Sequence, residues 1–200
     1  MRAGAVVLAG GRSSRMGQSK ALLDWHGRPA IVHAVATARE GVAGGPVVVV
    51  RAPGQELPLL AEVTVTEDAV AGDGPLRAFH AGLVALGGRA DVAFVCAVDT
   101  PLLHPSFVQA VVAALREGDD AVVPWLDGRA QPLLAVYRTA LVATVAELLG
   151  AGARGLRDLV DVVAVRTVTD EELGPGVDLR AALNANTPGE WRHLANLPPL

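Results

Sequence analysis

The chain is poor in several things, and each scarcity excludes something. Cys96 is its only cysteine, so no disulfide can close within the chain, and its apolar neighbours predict a buried, reduced thiol. Aromatic residues make up 4% of the sequence although 51% is apolar. The core must therefore be assembled from many small Ala, Val and Leu contacts, a composition typical of α/β proteins. No apolar run approaches the roughly eighteen residues of a membrane span. The first apolar run passes straight into a glycine loop and not into a cleavage site, so a soluble, cytoplasmic protein without membrane contact is expected. Lys and Arg number 17 against 21 Asp and Glu, a net charge of −4, which removes the polycation that general nucleic-acid binding requires. The five histidines are scattered without ligand spacing, which argues against a zinc centre. Repeats, low-complexity tracts and a linker are absent, so residues 1–200 are expected to form a single domain.

Positive charge is concentrated instead near the start. The run Ala5-Val6-Val7-Leu8 reads as a strand and is followed by Ala9-Gly10-Gly11-Arg12-Ser13-Ser14-Arg15-Met16-Gly17-Gln18-Ser19-Lys20. Adjacent glycines let backbone N–H groups approach an anion without an intervening Cβ. Arg12, Arg15 and Lys20 add cationic side chains, with Lys20 read as a flexible ammonium in a solvated loop. A phosphate-rich ligand suits such a loop. Its spacing matches neither the P-loop nor the dinucleotide-binding fingerprint.

Further along, a proline-led helix over 29–38 and the run Pro46 to Val50 complete a strand-helix-strand unit, whose unalternating strands suit a parallel sheet covered on both faces. Val63-Thr64-Val65 reads as a short strand, and Gly74-Pro75 opens a helix whose first N–H groups are exposed. Val92 to Val98 is the longest apolar run and the candidate central strand, ending at Asp99-Thr100-Pro101. In open α/β sheets ligands lie beyond the carboxyl ends of the strands, so Asp99 should face a cation or a donor there, or else cap the helix from Pro105. Val122-Val123-Pro124, a turn at Asp127-Gly128 and the run 131–137 predict an antiparallel hairpin. A helix over 140–149, a short helix from Leu156, a strand over 162–168 and a helix from Pro188 capped by Thr187 follow. Trp25, Trp125 and Trp191 are expected to fill gaps between elements. The fold class is α/β, a doubly wound Rossmann-like domain with a mostly parallel sheet and one antiparallel hairpin.

The run Leu8-Ala9-Gly10-Gly11, with Ser13-Ser14-Arg15-Met16-Gly17, Lys20, Leu22-Leu23 and Gly27-Arg28-Pro29, resembles the signature of nucleotidyltransferases that activate small molecules with a nucleoside triphosphate. Together with Val98-Asp99-Thr100-Pro101 and Asn184-Ala185-Asn186-Thr187-Pro188, it resembles the MobA-like molybdenum cofactor guanylyltransferases, the actinobacterial members above all. That resemblance implies a nucleotidyltransferase fold, GTP as co-substrate, molybdenum-molybdopterin as acceptor and Mg2+ on Asp99. It implies Arg15, Lys20 and Asp99 as catalytic residues, and Leu8, Ala9, Gly10, Gly11, Lys20, Asp68, Gly74 and Asp99 as nucleotide contacts, with Asp68 reading guanine or ribose. Pro101, Asn184 and Asn186 become substrate or phosphate contacts, the loop holding Arg154 lies near the pterin, and a protein that delivers or inserts the cofactor becomes a transient partner. Arg77 departs from the small residue of the better-known bacterial members. Cytidylyl transfer to the same pterin is the alternative, although that group favours Leu-Ala-Ala-Gly in the loop. Another sugar or small-molecule nucleotidyltransferase, and a non-catalytic nucleotide-binding module, stay open beside it.

Overall fold

The computed structural model of the protein describes residues 1–10, 19–70 and 72–198. It opens on β1 (Ala3–Leu8), buried over its last five residues. A 3-10 turn (Lys20–Leu22) leads into a small ribbon of β2 (Asp24–Trp25) and β3 (Arg28–Pro29), turned through His26 and Gly27 at φ 50° and 82°. Pro29 was expected in the first helical turn, but its pairing with Asp24 keeps it extended (ψ 138°), and it caps α1 (Ala30–Gly41) from outside. Next come β4 (Val47–Arg51), β5 (Thr64–Glu67), α2 (Pro75–Leu86), β6 (Val92–Ala97) and α3 (Pro105–Ala113). The remainder is β7 (Ala121–Leu126), β8 (Arg129–Ala130), β9 (Ala135–Arg138), α4 (Val142–Gly150), α5 (Leu156–Val160), β10 (Val165–Val168), α6 (Asp170–Leu173) and α7 (Pro188–Ala195).

The main sheet has the order β10-β7-β9-β6-β1-β4-β5, with β8 attached to β7. Strands β6, β1, β4 and β5 pair in parallel, as do β10 and β7, while β9 lies antiparallel to both β6 and β7. Asp127 and Gly128 turn the β7–β8 hairpin at φ 50° and 71°, the double positive φ that a tight two-residue hairpin needs. The expected antiparallel return is therefore present, and β9 extends it into the middle of the sheet.

Neighbouring residues of a strand face opposite layers. Val7 and Phe94 pack with Ile31, Phe107 and Val108 on the α1–α3 side. Val6 and Val95 pack with Phe79, Leu83, Tyr137 and Leu156 on the α2–α5 side. Each fully buried side chain of this size contributes about 1.5–3 kcal/mol, so both faces stabilise the sheet. Cys96 is buried in the first layer, and burial pushes its thiol up to about 12.

A third cluster sits at the carboxyl end of the sheet. Trp25 and Trp191 meet edge to face at 5.3 Å, with Leu23, Leu102, Ala185 and Leu194 around them. The Trp191 indole N–H donates to the Asp24 carbonyl at 2.9 Å, so α7 is fastened to the β2–β3 ribbon. Trp125 does not fill a gap as expected: it is 47% exposed on the short β7–β8 ribbon. Likewise the strand expected over 162–168 begins only at Val165, where its pairing with Ala121 starts, and Val162 is left exposed in the turn after α5.

Candidate active site

Strands β4 and β6 flank β1 and stop level with it: Leu8 pairs with Val50 on one side and Ala97 on the other. Just beyond, the N–H groups of Ala9 and Gly10 both donate to the Val50 carbonyl, at 2.8 and 3.3 Å. A Cβ on Gly10 would stand 3.0 Å from the Ala52 nitrogen and press on the end of β4, which glycine avoids. These strand ends floor a cavity of about 350 Å3 whose lining includes Leu8, Gly10, Arg51, Asp68, Gly74 and Asp99. Five of the expected nucleotide contacts thus share one cavity. Gly11 and Arg15, with Arg12, lie outside the described residues.

Lys20 was expected to be solvated, and it is not. Its side chain is only 16% exposed and its Nζ donates to Asp99 Oδ2 at 3.0 Å and to Asn186 Oδ1 at 2.8 Å. Two residues distant in sequence, Asp99 and Asn186, therefore converge on the Lys20 ammonium. Asp99 does not cap the helix from Pro105, because His104 does: its Nδ1 accepts from the Ser106 N–H. Asp99 is left for the site, and its carbonyl accepts from Ala185 N–H at 2.8 Å. Thr187 caps α7 as expected. Glu190, which the sequence reading passed over, accepts from the N–H groups of Asn186 (2.6 Å) and Thr187 (3.1 Å). The Asn186 N–H, foremost, holds the Glu190 carboxyl below its ordinary range, with the Lys20 charge as a smaller contribution.

Asp68, directly after β5, is 8% exposed; its N–H donates to the Arg51 carbonyl at 2.8 Å and its Oδ1 accepts from Val70 N–H at 3.3 Å. A buried carboxylate with so little compensation is costly unless a ligand donates to it. Gly74 caps α2 at φ 96°, where a Cβ would run into the Arg154 carbonyl oxygen. Beside it, Asp73 bridges Arg77 and Arg154, and the Arg77 hydrogen bond does most to hold its carboxyl below the usual range. Arg77 is thereby tied into the α2 start. Pro101 lines a neighbouring cavity of about 440 Å3 with Trp25 and His33, and its carbonyl accepts from His33 Nε2 at 2.9 Å. Asn184 is exposed and does not line the main cavity.

A sequence profile of the MobA-like NTP transferase domain matches residues 5–164. The chain belongs to that family. This MobA-like NTP transferase is 38% identical over 205 residues, 98% of the chain and 96% of the relative, to a protein of Mycolicibacterium paratuberculosis named "Probable molybdenum cofactor guanylyltransferase". A Mycobacterium tuberculosis protein of the same name is 38% identical over 185 residues, covering 92% of this chain and 91% of its own. Among solved structures, molybdopterin-guanine dinucleotide biosynthesis protein A from Archaeoglobus fulgidus has a TM-score of 0.76 at 22% identity, with 96% of each chain covered. The α/β fold with its mostly parallel mixed sheet is that of these neighbours.

Proposed function

We propose that this MobA-like NTP transferase transfers GMP from GTP to the terminal phosphate of molybdenum-molybdopterin. A phosphate oxygen of the acceptor attacks the α-phosphorus of GTP, the bond to the β-phosphate breaks, and pyrophosphate leaves with its electron pair. The attacking group is already anionic, so no general base is needed; the protein's work is to hold two polyanions together and stabilise the charge that develops.

The observation that carries this reading is the cavity whose lining brings the buried Asp68 carboxylate together with Gly10, Gly74 and Asp99, the carboxylate that accepts from the Lys20 ammonium. Asp68 accepts from the N1–H and N2–H donors that guanine offers and cytosine lacks. Lys20, with the Gly11 N–H and the Arg15 guanidinium, neutralises the triphosphate and the departing pyrophosphate, while the Ala9 and Gly10 N–H groups stay on the Val50 carbonyl. In this reading Asn184 and Pro101 contact the acceptor.

Among the described residues no three His, Cys, Asp or Glu side chains cluster as a metal site. The oxygens of Asp99 and Asn186 nevertheless already converge on a cation, the Lys20 ammonium. Two hard oxygen donors fit Mg2+. When bound, the ion would supply charge neutralisation at the triphosphate. Asp99 and Asn186 would hold it.

Residues 1–200 act in this reading as one catalytic unit in the cytoplasm, receiving the labile pterin from a delivering or inserting protein. Among the described residues no helix is long and apolar enough to cross a membrane. The test is pyrophosphate release from GTP and CTP in parallel, with and without molybdenum-molybdopterin. Acceptor-dependent release from GTP alone is expected. Equal or greater release from CTP would refute guanylyl transfer, and no release from either would refute catalysis.

A further inference from the structure

Gln55 stands in the connection between β4 and β5, where no motif draws attention to it. Its side-chain amide makes three hydrogen bonds. Oε1 accepts from Ala52 N–H at 2.9 Å, while Nε2 donates to the Ala9 carbonyl at 3.0 Å and to the Ser19 hydroxyl at 2.9 Å. The partners fix which end of the amide is which: an N–H can only donate and a carbonyl can only accept.

Ala9 precedes the cationic segment 11–18 and Ser19 follows it, one residue before Lys20. A single amide nitrogen therefore joins both flanks of that segment. Its base is equally well held: the Gln55 N–H donates to the Ala52 carbonyl at 3.0 Å, and its own carbonyl accepts from Arg51 Nη1 at 3.1 Å. Arg51 is in turn paired with Glu67 at 2.6 Å. The bridge is thus anchored to the ends of β4 and β5.

We propose that Gln55 is a positioning residue for the triphosphate site, setting the separation of the two flanks so that the backbone at Gly10 and the ammonium of Lys20 are presented together before nucleotide arrives. The inference rests on the proposed function, in which Gly10 and Lys20 border the triphosphate site. Preorganisation of this kind reduces the ordering cost that binding would otherwise incur. Only an amide of this length carries two donors on one nitrogen together with an acceptor for Ala52; methionine matches its shape and has no donor at all.

The test uses the full chain with Gln55→Met, Ser19→Ala, the double variant and Lys20→Ala. GTP affinity is measured by calorimetry, the KM for GTP and for the acceptor by steady-state kinetics, and the melting temperature alongside. Gln55→Met should weaken GTP binding and raise its KM about tenfold, the loss expected for two hydrogen bonds. The acceptor KM should stay within about twofold, and the double variant should bind GTP no worse than Gln55→Met, since the Ser19 arm is already gone. A lower melting temperature with unchanged GTP affinity in Gln55→Met would overturn the inference by making Gln55 purely structural. If that variant does not fold, Ser19→Ala decides: unchanged GTP affinity there overturns it equally. Lys20→Ala keeps the two readings apart. Weakened binding in Lys20→Ala but not in Gln55→Met removes Gln55 alone, whereas unchanged binding in Lys20→Ala removes the phosphate site itself.

Discussion

Lys20→Ala removes one ammonium from two oxygens, Asp99 Oδ2 at 3.0 Å and Asn186 Oδ1 at 2.8 Å. Hydrogen bonds to charged groups contribute about 1.5–3 kcal/mol net. With Lys20 and Asp99 16% and 25% exposed, water would replace part of what is lost, leaving about 1–2 kcal/mol of destabilisation. In a domain of this size that lowers the melting temperature by about 2–8 °C. Against a total stability of about 5–15 kcal/mol, such a loss leaves nearly every molecule folded at 25 °C. Catalysis should suffer far more. Removing one preorganised group that stabilises developing charge typically costs about a hundredfold to a thousandfold in rate. Pyrophosphate release measured at limiting and at saturating GTP, beside a thermal melt, separates the two effects. Activity within about threefold of the parent at both concentrations would refute the assignment of Lys20 to the triphosphate, as would a rate loss that simply tracks the unfolded fraction.

Other outcomes are open to measurement. Asp99→Asn keeps the shape of the side chain but weakens its hold on a dication, so GTP should still bind while magnesium-dependent turnover collapses; near-parental turnover with an unchanged magnesium midpoint would remove the carboxylate from that role. The Glu190 carboxyl is held low mainly by the Asn186 N–H. Its folded-state pKa lies below the unfolded one, so its stabilisation is complete above the ordinary glutamate pKa of about 4.3 and is lost as pH falls through the folded value. The melting difference between the parent and Glu190→Gln should therefore hold steady at neutral pH and shrink in acid, and a pH-independent difference would contradict the pairing. Cys96, buried and with its thiol pushed up to about 12, should resist iodoacetamide at pH 8 in the native protein and react once guanidinium unfolds it; rapid native alkylation would show that the strand is not closed.

Much of the fold was legible because its signals are local. Four unalternating valines at 47–50 can only suit a strand covered on both faces, and Gly74-Pro75 or Thr187-Pro188 mark helix starts by their own backbone chemistry. Pro29 was misplaced because a fixed φ serves an extended residue as well as a helical one, and only the partner strand decides. Asp99 was ambiguous for the same reason: a carboxylate after a strand can cap or bind, and the capping side chain turned out to be that of His104. Gln55 and Glu190 were invisible because their roles depend on partners that other segments bring, and a lone polar residue in a connection carries no periodicity or motif. Lys20 was legible as a charge but not as a half-buried one. Its burial depends on Asn186, a partner 166 residues away.

That distance has a consequence for synthesis. Chains emerge amino end first, at about 5–20 residues per second, and domains generally fold as units. Strands β1, β4 and β6 are complete once residue 97 is made, before the residues that close on Lys20 exist. The clamp on Lys20 cannot close then. Asn186 reaches Lys20 across 166 residues, the Trp191 indole reaches the Asp24 carbonyl across 167, and the Ala185 N–H meets the carbonyl of Asp99. Residues 185–191 are therefore made long after Lys20, and a nascent chain that stops short of them has its central strands before it has its site.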